Sequence, residues 1–253
     1  MSNVQSPTLA TYGALEKAFE HFNRDLFDAR LPPCLLTLRS SPRTYGYMHR
    51  RRFVNLGGAQ IDELGINPGY FAIQSPEEVL ATLVHEMVHH WQHHCGTPSK
   101  SLPHNREWAD KMQEIGLMPS HTGLPGGKRT GRSMSDYIVP NGVFLSACSR
   151  LTQAGFSLPW LDSHVAMNPG KMQERRTALV ASGVAAVGGE PPIATALAHG
   201  FDLPVNAPTP PSAAPQRVRY VCPQCGVRAW AAPDTVLNCG VCEVALESSK
   251  HGG

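Results

Sequence analysis

The segment Leu83-Val84-His85-Glu86-Met87-Val88-His89 sets two imidazoles four residues apart, with a carboxylate directly after the first. On a helix, side chains at i and i+4 share one face about 6 Å of rise apart, close enough to bind one ion. Glu86 projects beside that ion, where it can take a proton from activated water. Zinc lowers the pKa of its water from above 15 to about 7, so the spacing points to metal-assisted hydrolysis at neutral pH. A catalytic zinc takes three protein ligands and keeps a fourth position open, so a third ligand has to be found.

His93 shares the face of His85 and His89 but lies eight residues from His85. That is roughly 12 Å of rise, more than one tetrahedral ion spans. With His90 and His94 it is assigned to polar surface. A metzincin pattern asks for a histidine six residues after His89, and Cys95 stands there. A thermolysin pattern asks for a glutamate on a following helix, for which Glu107 and Glu114 are available. His104, fifteen residues after His89 and flanked by Pro103 and Asn105, is the better third ligand. Glu107 stays as the alternative, or as a group that orients a ligand from behind.

A second metal pattern lies near the C-terminus. Cys222-Pro-Gln-Cys225 and Cys239-Gly-Val-Cys242 are paired thiols thirteen residues apart. Four thiolates at this spacing read as a closed, structural zinc site, and two matched pairs disfavour a redox motif. About 30 residues cannot bury enough core alone, so this ribbon is expected to need its metal to fold. Segments 227–232 and 235–237 suit a small hairpin within it. The other three of the seven cysteines, Cys34, Cys95 and Cys148, are isolated.

Several elements have to hold these groups. Leu15, Phe19, Phe22, Leu26 and Phe27 recur at helical spacing, predicting a helix over 9–29 that Pro32 and Pro33 stop. Segments 35–38, 44–48 and 61–66 are short strand candidates. Ser75, Pro76, Glu77 and Glu78 predict a capped helix start, and the helix carrying His85 and His89 runs to about His94. A second helix follows over 105–115. Segments 136–151 and 156–161 alternate apolar residues and are read as late strands. Beyond about 167 the chain turns Pro-, Ala- and Gly-rich, and 167–216 reads as a linker with at most one short helix. No stretch reaches the roughly 20 apolar residues of a membrane span. The N-terminus lacks a basic and apolar leader pattern, so a cytoplasmic protein with no membrane partner is expected. A net charge of only +2 says nothing about nucleic acid.

Together these residues resemble the SprT-like family, the zinc metalloproteases that include bacterial SprT and eukaryotic Spartan. The signs are Phe22-Asn-Arg-Asp-Leu-Phe27, Leu31-Pro32-Pro33, Gly46 with Tyr47, the His-Glu-Met-Val-His run, and His104 followed by Trp108. The resemblance covers about 8–116 and the ribbon 220–246. It implies an α+β fold with a minigluzincin-like core of helices on a small twisted sheet, and Glu86 as general base. It also implies cleavage of proteins crosslinked to DNA, with DNA binding gating the protease. The expected organisation is a metalloprotease domain over 8–166, a linker over 167–216 and a zinc ribbon over 217–247. In family members with a ribbon, it follows the core closely. Here more than a hundred residues separate His104 from Cys222, as if the ribbon were a tethered module.

Residues 30–60 hold no acid, while Arg39, Arg43, Arg50, Arg51 and Arg52 accumulate beside Tyr45, Tyr47 and Phe53. Such a strip can neutralise phosphates while aromatics stack on unpaired bases. Lys128, Arg129 and Arg132 form a second acid-free loop. A solvated basic face is the plain alternative. The expected protein therefore binds one catalytic and one structural zinc and hydrolyses a protein substrate, free or DNA-bound. The rival from another class is a zinc-stabilised nucleic-acid-binding protein with little proteolysis.

Overall fold

The computed structural model describes residues 6–41, 44–162, 164, 169–184, 188–192 and 217–248. The chain divides into two compact units, Met1–Ala207 and Pro208–Gly253.

In the first unit a helix, α1 (Pro7–Phe27), leads into strands β1 (Leu35–Leu38), β2 (Gly46–Val54) and β3 (Gln60–Ile66). β3 is the middle strand, parallel to β1 and antiparallel to β2. β2 is therefore an edge, longer than the sequence suggested. Its register against β3 breaks between His49 and Phe53, where Arg51 adopts a left-handed φ of 51°. Three residues of β2 there face one of β3, and a bulge of this kind re-aims the strand's backbone groups.

Helix α2 (Pro76–Cys95) carries the metal-binding pattern, and its start is fixed chemically. The Ser75 hydroxyl accepts the Glu78 N–H at 3.2 Å, and the Glu78 carboxylate accepts the Ser75 N–H at 2.8 Å. This reciprocal box satisfies two donors that the first turn leaves open. Val79, Leu80, Leu83, Val84, Met87 and Val88 are buried, so α2 is the central helix of the core. Phe19, Phe22 and Phe27 of α1 join the same core, with Leu64 and Ile66 of β3. Each such side chain contributes about 1.5–3 kcal/mol of burial.

After α2 come α3 (Arg106–Glu114), β4 (Leu117–Ser120) and β5 (Ser135–Ile138), the two strands pairing antiparallel. The late-strand reading of 136–151 holds only for β5. Val143–Gln153 is a helix, α4, and 156–161 forms no strand. The physical reason is periodicity: Phe144, Ala147, Cys148 and Leu151 are the buried residues, spaced 3, 1 and 3 apart along one helical face. Phe144 stacks on Phe22 with ring centroids 5.7 Å apart.

Part of the stretch read as linker is also ordered. Pro169–Ala181 forms α5, with Met172 buried beside Tyr70, Ala72 and Ile73. Its Arg176 donates to the Ile73 carbonyl and to Glu78. Residues 193–216 lie outside the described residues.

In the second unit, strands β6 (Val218–Val221), β7 (Arg228–Ala231) and β8 (Glu247–Ser248) are ordered β7-β6-β8. The hairpin partner of β7 is β6, and 235–237 forms no strand. The Tyr220 hydroxyl explains this. It donates to the Ala232 carbonyl and accepts the Thr235 N–H, tying that stretch into a turn. No helix among the described residues is long and apolar enough to cross a membrane.

Candidate metal centre

His85 and His89 rise from α2 on one face, and His104 reaches them from the loop before α3. That loop is set by Asn105, whose side chain caps α3 by accepting the Trp108 N–H at 3.0 Å. His104 also forms a bridge to Gly131, with Gly131 N–H donating to the His104 carbonyl at 3.1 Å. One nitrogen from each of the three imidazoles lies within 4.8 Å of the others. Trp108, fully buried, forms the floor: its ring stacks on His89 at 5.3 Å and meets His85 and His104 edge-on at 4.9 and 4.5 Å.

Outer partners fix which nitrogen of the His85 and His104 rings faces inward. His85 Nδ1 lies 2.9 Å from Asp136 Oδ1 on β5, and His104 Nδ1 lies 3.2 Å from the Gly131 carbonyl. Both are acceptors, so Nδ1 carries the hydrogen and Nε2 is left bare to bind a metal. Burial and the neighbouring His85 pull His104 down to about 4 and His89 well below its ordinary value. Burial also works against a charged His85, but the Asp136 hydrogen bond and the Glu86 and Asp136 charges outweigh it and raise its pKa. Three converging imidazoles, two of them firmly neutral, form the donor set zinc takes in a site with an open position.

Glu86 is buried next to this set, where burial pushes its carboxyl up to about 7, His85 opposes and Asp136 adds. A dication on the histidines would favour the carboxylate form. The strand β2 comes close here. A Cβ on Gly46 would meet Glu86 Cγ, the Gly65 carbonyl and Thr82 Cγ2, each at 3.0 Å. Glycine at this position lets the edge strand form one wall of a cleft of about 510 Å³ that also takes in His93, His121 and Arg132.

Glu107, the alternative ligand, does not join the histidine group. Its carboxylate accepts from Gln92 Nε2 and from the Thr97 N–H, each at 2.7 Å, and so orders the loop leading to His104. His90 is not surface: it is fully buried, and with His94 it meets Asp62. His93 lines the cleft, and its Nδ1 is buried without a hydrogen-bond partner. Asp136 was missed, since it lies 51 residues from His85 with no local pattern to mark it. Arg175 of α5 was missed as well; it donates to the Asp136 carbonyl at 2.8 Å and to Ser135 Oγ at 3.1 Å.

In the second unit, Cys222, Cys225, Cys239 and Cys242 bring their sulfurs within 4.8 Å of one another. Cys225 Sγ and Cys239 Sγ are 3.6 Å apart. Bonds of about 2.3 Å from sulfur to a tetrahedral zinc give an edge of roughly 3.8 Å, so the set fits that ion. The Cys225 N–H, helped by that of Gln224, draws the Cys222 thiol down to about 7 despite burial.

The basic residues are partly committed. Arg39, Arg50, Arg51, Arg52, Lys128 and Arg129 are exposed, while Arg43 lies outside the described residues. Arg129 pairs with Asp110 at 2.8 Å, and Arg52 lies 3.8 Å from Glu63. Tyr45 packs on Tyr70, and the Tyr47 hydroxyl donates to Glu63, so Phe53 is the most open aromatic of the strip.

The family model for the SprT-like family matches residues 15–128, a span that contains Glu86 and all three clustered histidines. A protein of Salmonella typhimurium described as "Uncharacterized protein in mucB 3'region" is 47% identical over 62 residues, covering 24% of this chain and 84% of that protein. No solved structure matches. The family span takes in the whole helix that carries the site, and the chain belongs to the SprT-like family.

Proposed function

We propose that the protein is a zinc endopeptidase with a minigluzincin-type core, acting on proteins held on or crosslinked to DNA. The observation that carries hydrolysis is the convergence of His85, His89 and His104 within 4.8 Å beside buried Glu86. Membership of a metalloprotease-type family supports the same chemistry.

Zinc supplies Lewis acidity toward a carbonyl oxygen and makes water acidic near pH 7. The residues of this chain do the rest. His85, His89 and His104 hold the ion, and Asp136 fixes the His85 ring in its ligating tautomer. Glu86 accepts the proton of the attacking water and returns it to the departing amine. Trp108 closes the floor against bulk water. β2 is an edge strand with one side unpaired, and residues 44–48 line the cleft. An extended peptide can add to such an edge through its main chain, which favours a polypeptide substrate.

The DNA part of the reading rests on the exposed Arg39, Arg50, Arg51, Arg52 and Lys128, with Arg228 and Trp230 on the ribbon. The test is cleavage of a protein crosslinked to DNA, with and without added single-stranded DNA, by wild type and by an R50E/R52E variant. The reading expects DNA to stimulate wild type and the charge reversal to remove that stimulation. Equal cleavage of free and DNA-bound substrate by both proteins would leave a peptidase with no role for DNA.

A further inference from the structure

Helix α2 carries a second histidine pair at i, i+4, rotated about 100° from His89. His90 and His94 both reach Asp62 of β3. Asp62 Oδ2 lies 3.0 Å from His90 Nδ1 and 2.8 Å from His94 Nε2. The three donor atoms all lie within 4.8 Å of one another, and none belongs to the hydrolytic group.

The donor and acceptor roles at His90 do not close within the protein. Its side chain is 0% exposed, and its Nε2 lies 3.0 Å from the Pro32 carbonyl. A carbonyl oxygen only accepts, so Nε2 carries the hydrogen. A neutral His90 then turns a bare Nδ1 toward a carboxylate that also only accepts. Two acceptors 3.0 Å apart need a cation between them, either a proton or a metal ion. A proton bridges two atoms, but three donors converge here, because His94 brings a second nitrogen to the same oxygen.

Asp62 is held in place from behind. Its Oδ1 accepts the Arg51 N–H at 2.7 Å. That N–H is aimed by the bulge of β2, where Arg51 takes the left-handed conformation that side chains with a Cβ avoid. Asp62 and His90 thus each have the outer hydrogen bond that usually orients a metal ligand. His94 is 35% exposed and gives an ion a path from solvent. Zinc bonds of about 2.0–2.1 Å set donors roughly 3.3 Å apart, so binding opens the present contacts by a few tenths of an ångström.

We propose that Asp62, His90 and His94 form a further zinc site in this unit, clamping the last turns of α2 to β3 beside the bulge. Imidazole donors favour zinc-class ions over calcium or magnesium. Such a clamp lies on the same helix as the hydrolytic ligands, so its occupancy bears on their alignment.

The test is equilibrium dialysis of the full chain against zinc chloride, with bound metal counted by mass spectrometry. The expected counts are three zinc per chain for wild type, two for His94→Ala, two for His85→Ala and one for the double variant. A His94→Ala count equal to wild type would overturn the proposal and leave a protonated network. Failure of the hydrolytic site would instead show as an unchanged count in His85→Ala. Should His94→Ala unfold by circular dichroism, His94→Cys keeps a donor and must still match wild type, and a count one lower there would equally overturn it.

Discussion

Asp136→Ala should weaken zinc binding at the histidine site without disturbing the strand that carries Asp136. The carboxylate lies 2.9 Å from His85 Nδ1, and both side chains are largely buried. Its backbone is held independently: Asp136 pairs with Pro119 across β4 and β5, and its carbonyl accepts from Arg175. The substitution therefore removes one hydrogen bond and one charge, and the strand keeps its anchors. Loss of such an outer partner typically lowers metal affinity by about 10–100-fold, equivalent to roughly 1.4–2.8 kcal/mol. Zinc affinity can be read by competition with a chromophoric chelator, in parallel with thermal unfolding to check integrity. Asp136→Asn, which keeps an acceptor oxygen, should recover part of the loss. If Asp136→Ala bound zinc as tightly as wild type, the tautomer assignment at His85 would be wrong, and so would the view of Nε2 as the ligand.

Gly46→Ala should destabilise the first unit by about 1–3 kcal/mol, since the new methyl meets three groups at 3.0 Å including Glu86 Cγ, and denaturant midpoints will show it. Cys222→Ser should lose one zinc and expose the second unit to limited proteolysis, because four sulfurs lie within 4.8 Å there and a small ribbon folds on its metal. Asp25 links stability to pH. Burial pushes its carboxyl up, but the Arg150 hydrogen bond at 2.9 Å and the His21, Arg24 and Arg150 charges outweigh it and hold it below the ordinary range. With its folded pKa below the unfolded value of about 3.9, Asp25 contributes above that pH and its contribution disappears as pH falls through the folded pKa. The stability gap between wild type and Asp25→Asn should be present at pH 7 and close toward pH 3.

The site was readable in the sequence where its geometry is local. His85, Glu86 and His89 follow from helical spacing, and the cap at Ser75 follows from its neighbours. Each cysteine knuckle is likewise a short-range pattern. His104 could be found because it stands at the mouth of the next helix. Asp136 and Arg175 could not, since each reaches the centre from a distant element and carries no periodic mark. Asp62 failed for the same reason, and without it the buried His90 read as surface, which is true only of His94. The apolar residues of α4 fit both periods over a short run, and burial of Phe144, Ala147, Cys148 and Leu151 decides for the helix over the strand. For α5, the one short helix allowed in the linker, poor apolar content hid its attachment to the core through one buried residue, Met172, and two arginines.

In the proposed function Glu86, beside a zinc held by His85, His89 and His104, does the proton transfer of hydrolysis. The most direct measurement compares Glu86→Gln with wild type at equal, verified zinc content, on a protein substrate that wild type cleaves. Full zinc occupancy with cleavage reduced by roughly 10²–10⁴-fold is expected. Cleavage at the wild-type rate by fully loaded Glu86→Gln would contradict it.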